Sequence, residues 1–432
     1  MESFLLSPEP LGARSPRRRS GTRPGVVILA CVLALLLSAL TGCEETPQTI
    51  PIPDSGSNGV TAKEIVLGSS LALSGHASFL GTQTLIGAMC YLNHVNETGG
   101  VHGRSIRVIA YDDGYDPPLC VTNTQKLIVD DQVFALFCYV GTPTTVKIIP
   151  LVNEAHIPLL GMFTGANALR EPFSRYIVNV RASYYQETAE AVRRFVEDLG
   201  LKRIAVFYQY DAYGFDGLKG TELALKRFGL APVARGAYTR GTLKIEKGLE
   251  AIMDAQAEAV IMIGTYEPCA MFIRQAKERG YSPLFHNVSF VGAEELARLL
   301  GDAGDGVFVT QVVPPPDSIQ AQALHRSAGE YAKLLARYHP GQQPNSVGLE
   351  GFINAKVLVE GLRRAGRDLT REGFIDALES ISDFDPGIEQ SLSLEPDDHQ
   401  GFERVYFTRL EHGKFVLVTD DDWNKMKAGY RP

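Results

Sequence analysis

Short apolar runs alternate with longer stretches of helical spacing along most of this chain. In the first such unit, an apolar run at 65–67 is followed by Ser74-Gly75, by a helical pattern from about Leu80, and by a second apolar run at 106–109. This order is typical of a strand, a helix and a second strand, which cross over right-handed in a parallel sheet. Ser74 and Gly75 would then lie at the carboxyl end of a strand, where open parallel sheets bind ligands.

The same order of features recurs at two later strand ends. Thr142 follows a buried strand predicted at 133–137, and Thr164 follows a strand predicted at 158–160. A single Ser or Thr before a helix is usually a cap that satisfies free backbone N–H groups. Three of them at strand ends, Ser74, Thr142 and Thr164, favour a binding site, since the free N–H groups of helix starts attract anions.

A second series of alternating strands and helices follows. Its strands are predicted at 203–208, 233–237, 259–263, 284–287 and 307–313. A mostly helical section at 320–380 and an antiparallel hairpin at 402–418 complete the chain. We therefore predict an α/β fold of two doubly wound lobes joined by a multi-strand hinge, because the chain crosses between the lobes more than once. Residues 63–184 plus 313–385 are assigned to lobe 1, and residues 185–312 plus 386–432 to lobe 2.

The amino-terminal segment differs from the rest of the chain. Five arginines between positions 14 and 23 precede an apolar run from Val26 to Leu40, and Leu40-Thr41-Gly42-Cys43 resembles a bacterial lipobox. We expect residues 1–42 to be a lipoprotein signal peptide and Cys43 to be lipidated. An ordinary secretory signal or a short anchor helix is the alternative. Residues 43–62 are rich in Pro, Ser and Gly and are predicted to form a flexible tether, which would hold the folded part at a bacterial membrane.

Composition narrows the class of protein. The chain has 432 residues, which is too long for one ordinary core, and its 45% hydrophobic and 21% charged content is typical of a globular protein. A formal net charge of -8 argues against nucleic acid as the main partner. Phosphate-loop, nucleophile-elbow and zinc-protease motifs are absent from the sequence, so we predict neither an enzyme nor a bound cofactor or metal.

Four cysteines follow the expected lipidation site: Cys90, Cys120, Cys138 and Cys269. Cys120 opens a predicted helix and Cys138 ends the next predicted strand, so a disulfide between them is possible. For Cys90 and Cys269, buried free thiols are the better interpretation.

Several short motifs, spread from Lys63 to Val418, carry a family resemblance. They are Leu73-Ser74-Gly75, Asn96 with Gly99-Gly100 and Gly103, Tyr111-Asp112-Asp113 with Asp116-Pro117, Gly141-Thr142-Pro143-Thr144-Thr145, Asn153-Glu154 with Ile157-Pro158-Leu159, and Tyr213-Gly214. In these motifs the chain resembles the type I periplasmic binding proteins of branched-chain amino acid ABC transporters. The resemblance implies two lobes that close on a ligand like a Venus flytrap.

The resemblance also implies site residues. One lobe of such proteins offers hydroxyls and backbone N–H groups to a ligand carboxylate, and the matching positions here are Ser74, Thr142 or Thr144, Met162 and Thr164. The other lobe offers aromatic residues, which match Tyr213 and Tyr266. Phe79 and Leu80 replace an aromatic of the first loop and imply a more apolar pocket.

One position departs from the family pattern. The acidic partner of an α-ammonium group would fall near Ser289, which is not acidic, and Glu267, Glu294 or Glu350 would have to substitute. The ligand is therefore expected to be a small polar organic molecule, either an amino acid or another carboxylate.

The expected function is that of a lipid-anchored solute-binding protein, periplasmic or on the cell surface. It would act as a monomer and present its ligand to an ABC permease. A ligand sensor of the same fold is the alternative. An α/β hydrolase-like enzyme is less well supported, because the nucleophile elbow is missing.

Overall fold

The computed structural model describes residues 58–317 and 319–429. The predicted signal peptide, the lipidation site Cys43 and most of the predicted tether lie outside these residues. Within them, no helix combines the length and the apolar character needed to cross a bilayer.

Parallel strands near the start of the described chain form the first sheet. Its strands are β1 Glu64–Leu71, β2 Ser105–Asp112, β3 Ala135–Phe137, β4 Leu159–Leu160 and β5 Ile177–Val178, in the order β2-β1-β3-β4-β5. The helices that connect them are α1 Ser78–Glu97, α2 Pro117–Val129 and α3 Thr142–Glu154. Each begins after the carboxyl end of a strand, so the turns between them share one edge of the sheet.

A second sheet follows in the chain. Its strands are β6 Ile204–Gln209, β7 Arg235–Tyr238, β8 Ala259–Ile263, β9 Leu284–Asn287, β10 Phe308–Gln311, β11 Tyr406–Glu411 and β12 Lys414–Leu417, in the order β12-β11-β10-β9-β8-β6-β7. Strands β6 to β10 pair with one another in parallel, whereas β11 pairs antiparallel with both β10 and β12. The helices of this part are α4 Tyr184–Arg193, α5 Ala212–Lys226, α6 Glu246–Asp254, α7 Tyr266–Glu278 and α8 Ala293–Leu300. The antiparallel pair β11–β12 confirms the predicted hairpin.

The helical section between β10 and β11 returns to the first sheet. It comprises α9 Ile319–Leu324, α10 Arg326–Tyr338, α11 Ser346–Ala365 and α12 Arg371–Glu379, and α13 Asp420–Gly429 ends the described chain. Helix α11 packs along α1. We use "first lobe" for the first sheet with the helices packed on it, and "second lobe" for the second sheet with its helices. The predicted fold class, an α/β protein of two doubly wound lobes, is confirmed.

Chain segments that cross between the lobes pair with each other. The N–H of Asn179 donates to the carbonyl of His399 (2.9 Å), and the N–H of Gly401 donates to the carbonyl of Asn179 (2.7 Å). The N–H of Phe402 continues this pairing to Val180 (2.8 Å). Since both segments are hydrogen-bonded side by side, they constrain how the lobes turn about this point.

The first sheet is covered on both faces, as a doubly wound sheet must be. Ile65 and Leu67 belong to one buried hydrophobic cluster, while Val66 between them belongs to another. Neighbouring residues of the strand fall into different clusters, because successive strand side chains point to opposite faces of the sheet.

The same separation rules out the disulfide that the sequence left possible. Cys120 lies in the cluster that contains Val66, and Cys138 lies in the cluster that contains Leu67. Both thiols are free and buried, as are Cys90 and Cys269. The possible Cys120–Cys138 pairing is therefore wrong, because the closeness of the two residues in sequence does not place them on one face of the sheet.

Helices α1 and α11 approach closely through glycines. A Cβ atom added at Gly87 would lie 1.8 Å from the carbonyl oxygen of Gly348, and one added at Gly351 would lie 2.1 Å from the carbonyl oxygen of Thr84. Both clashes would be with backbone atoms, so no change of side-chain rotamer can remove them. Gly87→Ala is expected to lower the free energy of unfolding by about 2–3 kcal/mol, because the two helices must move apart.

Guanidinium denaturation measures this effect. Gly429→Ala, at the end of α13, is the matched control, since no described atom lies within 4 Å of the added Cβ. Equal stability of the two variants would contradict the close-packing explanation.

Candidate functional site

Aromatic rings from both lobes meet between the carboxyl ends of the two sheets. Phe290, which follows β9, has its ring centroid 5.9 Å from that of Tyr115 and 5.6 Å from that of Phe163. In the second lobe it lies 4.7 Å from Tyr213, which in turn lies 5.2 Å from Tyr184. We call these five residues the aromatic cluster. All of them are 0–1% exposed, so the lobes are closed on each other in this structure.

Two glycines make room for the rings. An added Cβ at Gly141 would lie 2.1 Å from the ring of Tyr115, and Gly141 has a φ of 101°, which disfavours any other residue. An added Cβ at Gly165 would lie 2.7–2.8 Å from the backbone and ring of Tyr184. The turns after β3 and β4 therefore bring these rings against the residues that neighbour Thr142 and Thr164.

The hydroxyls of Thr142 and Thr164 bond to each other at 2.6 Å, and both residues are fully buried. Thr142 is the first residue of α3, so Gly141 rather than Thr142 occupies the cap position. The Thr144 hydroxyl instead donates to the carbonyls of Val140 (2.7 Å) and Gly141 (2.9 Å). Of the two threonines that the sequence left open, Thr142 is thus the one that faces Thr164.

The remaining residues suggested by the resemblance lie around this centre. Phe79 and Tyr266 meet edge to face with centroids 6.2 Å apart, one from each lobe. Met162 is buried in the hydrophobic core. Ser74 lies on an exposed turn, where its N–H donates to the Asp112 carboxylate (3.2 Å), and it is not part of the buried centre.

A buried cation lies where the chain passes from the first lobe to α4. The guanidinium of Arg181 bonds Glu187 of α4 (3.0 Å) and Glu350 of α11 (3.3 Å), and it also donates to the Ser289 hydroxyl. It lies over the ring of Phe163 at 5.2 Å, so it borders the aromatic cluster. The arrangement joins both lobes through one charge.

The two carboxylates differ in how well they are satisfied. Glu187 also accepts hydrogen bonds from the Ser289 N–H (2.7 Å), the Ser289 hydroxyl (2.8 Å) and the Thr310 hydroxyl (2.7 Å). Among the described residues, the hydrogen bonds of the Glu350 side chain are the longer ones to Arg181, of 3.3 and 3.5 Å. Burial raises the pKa of Glu350 to about 7, although Arg181 opposes the shift.

A polar chain closes another side of the cluster. The Gln209 amide donates to the Asp211 carboxylate (2.7 Å) and, across the lobes, to the Tyr115 hydroxyl (3.4 Å). The Tyr238 hydroxyl donates to the Gln209 oxygen (2.9 Å). Arg240 borders the same chain at 3.4 Å from Asp211. The aromatic interior is therefore bounded by hydrogen-bonding groups that could meet the polar end of a ligand.

The three acidic residues considered as substitutes near Ser289 lie in different places. Glu267 is exposed on α7, Glu294 lies on α8 against the start of α11, and Glu350 bonds Arg181. The carboxylate that does reach Ser289 is Glu187, whose charge is already paired with Arg181.

Sequence reasoning missed six residues of this centre: Tyr115, Phe163, Arg181, Tyr184, Glu187 and Phe290. Arg181 had a usable signal, because it lies just before the boundary predicted between the two lobes, at residues 184 and 185. Phe290 directly follows Ser289, a position that the resemblance had already indicated. Tyr115 and Glu187 carried no signal of their own.

The charge of Glu350 makes stability depend on pH. Between its ordinary value of 4.5 and about 7 the folded state keeps a proton that the unfolded state has lost, so stability falls as the pH rises through this window. Glu350→Gln leaves Arg181 paired with Glu187. We expect it to raise the free energy of unfolding at pH 8 by about 1–3 kcal/mol, and to change little at pH 5.

Thermal unfolding at the two pH values checks this expectation. Glu360→Gln is the control on the same helix, since Glu360 forms an i,i+4 ion pair with Arg364 near the surface. A loss of stability in Glu350→Gln at pH 8 would mean that Glu350 is a net stabilising partner of Arg181.

Comparisons with known proteins relate this geometry to a family. The family model described as "Periplasmic binding protein" matches residues 64–414. Leu/Ile/Val-binding protein homolog 7 of Brucella abortus is 25% identical over 323 residues, which cover 70% of this chain and 77% of that protein. An amino acid binding protein of Pseudomonas aeruginosa is 24% identical over 238 residues, 55% of this chain and 64% of that protein, so the match spans slightly less than two thirds of it.

A solved structure is similar over most of the chain. It is the crystal structure of a possible leucine/isoleucine/valine-binding protein from Rhodopirellula baltica. It is 34% identical in sequence, has a TM-score of 0.79, and the match covers 86% of this chain and 99% of that one.

Proposed function

The chain belongs to the periplasmic binding protein family, and we propose that it captures a small organic carboxylate between its lobes and delivers it to an ABC transporter for import. The observation that carries this proposal is the paired hydroxyls of Thr142 and Thr164 beside the aromatic cluster. They lie where the carboxyl ends of both sheets meet, which is where open α/β sheets bind ligands.

The polar part of the ligand is assigned to the first lobe. When the lobes separate, Thr142 and Thr164 can turn their hydroxyls from each other toward a carboxylate. The start of α3, a helix of 13 residues, adds free N–H groups beside Thr142. Neutral donors of this kind hold an anion without burying another unpaired cation.

The remaining part of the ligand is assigned to the rings. An aliphatic or aromatic group of the ligand would lie among Phe163, Tyr213 and Phe290, where burial of apolar surface stabilises the complex. An α-ammonium group would meet the Ser289 hydroxyl rather than a free carboxylate, because Glu187 is committed to Arg181. We therefore place carboxylates without an amino group ahead of amino acids in the search for the ligand.

Affinity in this proposal comes from closure, and no bond is made or broken. The rings of the cluster are inaccessible in the closed structure, so a ligand must enter an open state. It then shifts the open–closed equilibrium by its preference for the closed state.

A thermal-shift panel on the soluble protein from about Ser55 tests the proposal. The panel holds aliphatic and aromatic carboxylates, amino acids, amides and short peptides. A ligand at one hundred times its dissociation constant should add about 2.7 kcal/mol of stability. Turnover of any hit, or an absence of hits among carboxylates and amino acids, would count against the proposed function.

Thr142→Val tests the proposed carboxylate contact with the ligand that the panel identifies. It keeps the side-chain shape and removes the hydroxyl, so the dissociation constant should rise about tenfold. Thr145→Val is the matched control on the same helix, because the Thr145 hydroxyl is buried and has no hydrogen-bond partner among the described residues. Equal affinities in calorimetry would remove Thr142 from the site.

We further propose that the protein is a lipid-anchored monomer outside the cytoplasm, held at the membrane through Cys43. The apolar run from Val26 to Leu40 and the small residues before Cys43 support this part. Cys43→Ser should move the protein from the membrane fraction to the soluble fraction. An unchanged distribution would contradict lipidation at this position.

A further inference from the structure

A carboxylate of the second lobe reaches the first turn of α11 in the first lobe. The Oε1 atom of Glu294, on α8, accepts a hydrogen bond from the backbone N–H of Ser346 at 2.6 Å. We propose that this contact is a latch that holds the lobes closed, so that Glu294 sets ligand affinity without touching the ligand. This inference rests on the proposed function.

The two ends of the latch are fixed in different lobes. Ser346 begins α11, whose cap residue Asn345 accepts from the Gly348 N–H (2.8 Å) and donates to Gln83 of α1 (2.7 Å). Glu294 is in the first turn of α8, which begins shortly after β9 of the second sheet. The hydrogen bond therefore exists only while the lobes are closed.

The start of α11 is a favourable place for an acceptor. The first N–H groups of a helix have no partner within the helix, and Asn345 satisfies only that of Gly348. Glu294 supplies a partner to the N–H of Ser346, which is 3% exposed in the closed structure. Once this N–H is buried, loss of its acceptor leaves a buried donor without a partner, which is more costly than the hydrogen bond alone.

The acceptor matters here more than the charge. The Oε2 atom of Glu294 is shielded from solvent and has no hydrogen-bond partner among the described residues. Burial raises the pKa of Glu294, which disfavours its ionised form. A neutral glutamine at this position can offer the same oxygen to Ser346.

The latch is separate from the proposed ligand contacts. Gly292, two residues before Glu294, lies against Leu80 and Phe79 of the first lobe. The described hydrogen bond of Glu294 leads away from these residues to α11 and not to the aromatic cluster. A change at Glu294 should therefore alter closure while leaving the chemistry of the ligand site intact.

The test compares variants of α8 in solution. Glu294→Ala should raise the dissociation constant of the panel ligand about tenfold, and Glu294→Gln should restore most of the lost affinity because it keeps the acceptor. Glu295→Ala is the matched control, since Glu295 pairs with Arg298 of its own helix. Equal affinity of Glu294→Ala and Glu295→Ala would overturn the latch, as would a glutamine variant as weak as the alanine variant.

The partner N–H can be removed as well. Ser346→Pro deletes the donor at the first helical position, which proline favours, and the preceding Asn345 already has the extended backbone that proline requires. If both changes remove the same hydrogen bond, the double variant Glu294→Ala with Ser346→Pro should bind the ligand about as weakly as either single variant. Multiplied losses in affinity would show that the two groups act independently and would refute the latch.

Small-angle X-ray scattering without ligand separates this inference from the proposed function. Glu294→Ala should have a larger radius of gyration than the wild type and Glu295→Ala, because its lobes spend more time open. A wild-type radius for Glu294→Ala overturns the latch. A panel without hits would overturn the proposed ligand class while leaving this comparison intact.

Discussion

The closed structure depends on a buried charge at the point where the chain crosses between the lobes. A guanidinium keeps its proton at physiological pH, so Arg181 needs compensation wherever it is buried. Glu187 of the second lobe and Glu350 of the first both supply a carboxylate. In the closed structure the guanidinium bonds both carboxylates and the Ser289 hydroxyl. One charge therefore holds the crossing segment, α4 and α11 together.

The cleft beside the Arg181 guanidinium is lined with aromatic rings rather than with charged groups. Rings from both lobes exclude water around Arg181, which strengthens its hydrogen bonds to the carboxylates and raises the cost of breaking them. The same rings offer a ligand apolar contacts but few charges. We therefore expect a ligand carboxylate to be met by hydroxyls and backbone N–H groups, as at Thr142 and Thr164. The two guanidinium groups that border the rings, those of Arg181 and Arg240, are already paired with carboxylates.

The fold could be predicted largely from local patterns, whereas the site could not. Period-two strands and helical stretches are local, and the hairpin of β11 and β12 followed from one turn between two apolar runs. Thr142 and Thr164 could be predicted as site residues because each lies a few residues after the end of a strand. Glu350 is far in sequence from Arg181 and Glu187, and its meeting with them depends on α11 returning to the first lobe after the strands of the second sheet up to β10. The rejected Cys120–Cys138 pairing has the same cause, because sequence proximity does not specify the face of a sheet.

Helix α11 carries both the residue that Glu294 contacts and the carboxylate that pairs with Arg181. Ser346 and Glu350 are four residues apart and so share one face of the helix, while Gly351 and the carbonyl of Gly348 lie against α1. The face that carries Ser346 and Glu350 meets the second lobe through Glu294 and meets the crossing segment through Arg181. The closed position is thus held by contacts at two points of one helix, at its first residue and one turn later. Because α11 is packed on α1 through backbone contacts, it cannot adjust to either point alone, and the lobes must reach one position to satisfy both.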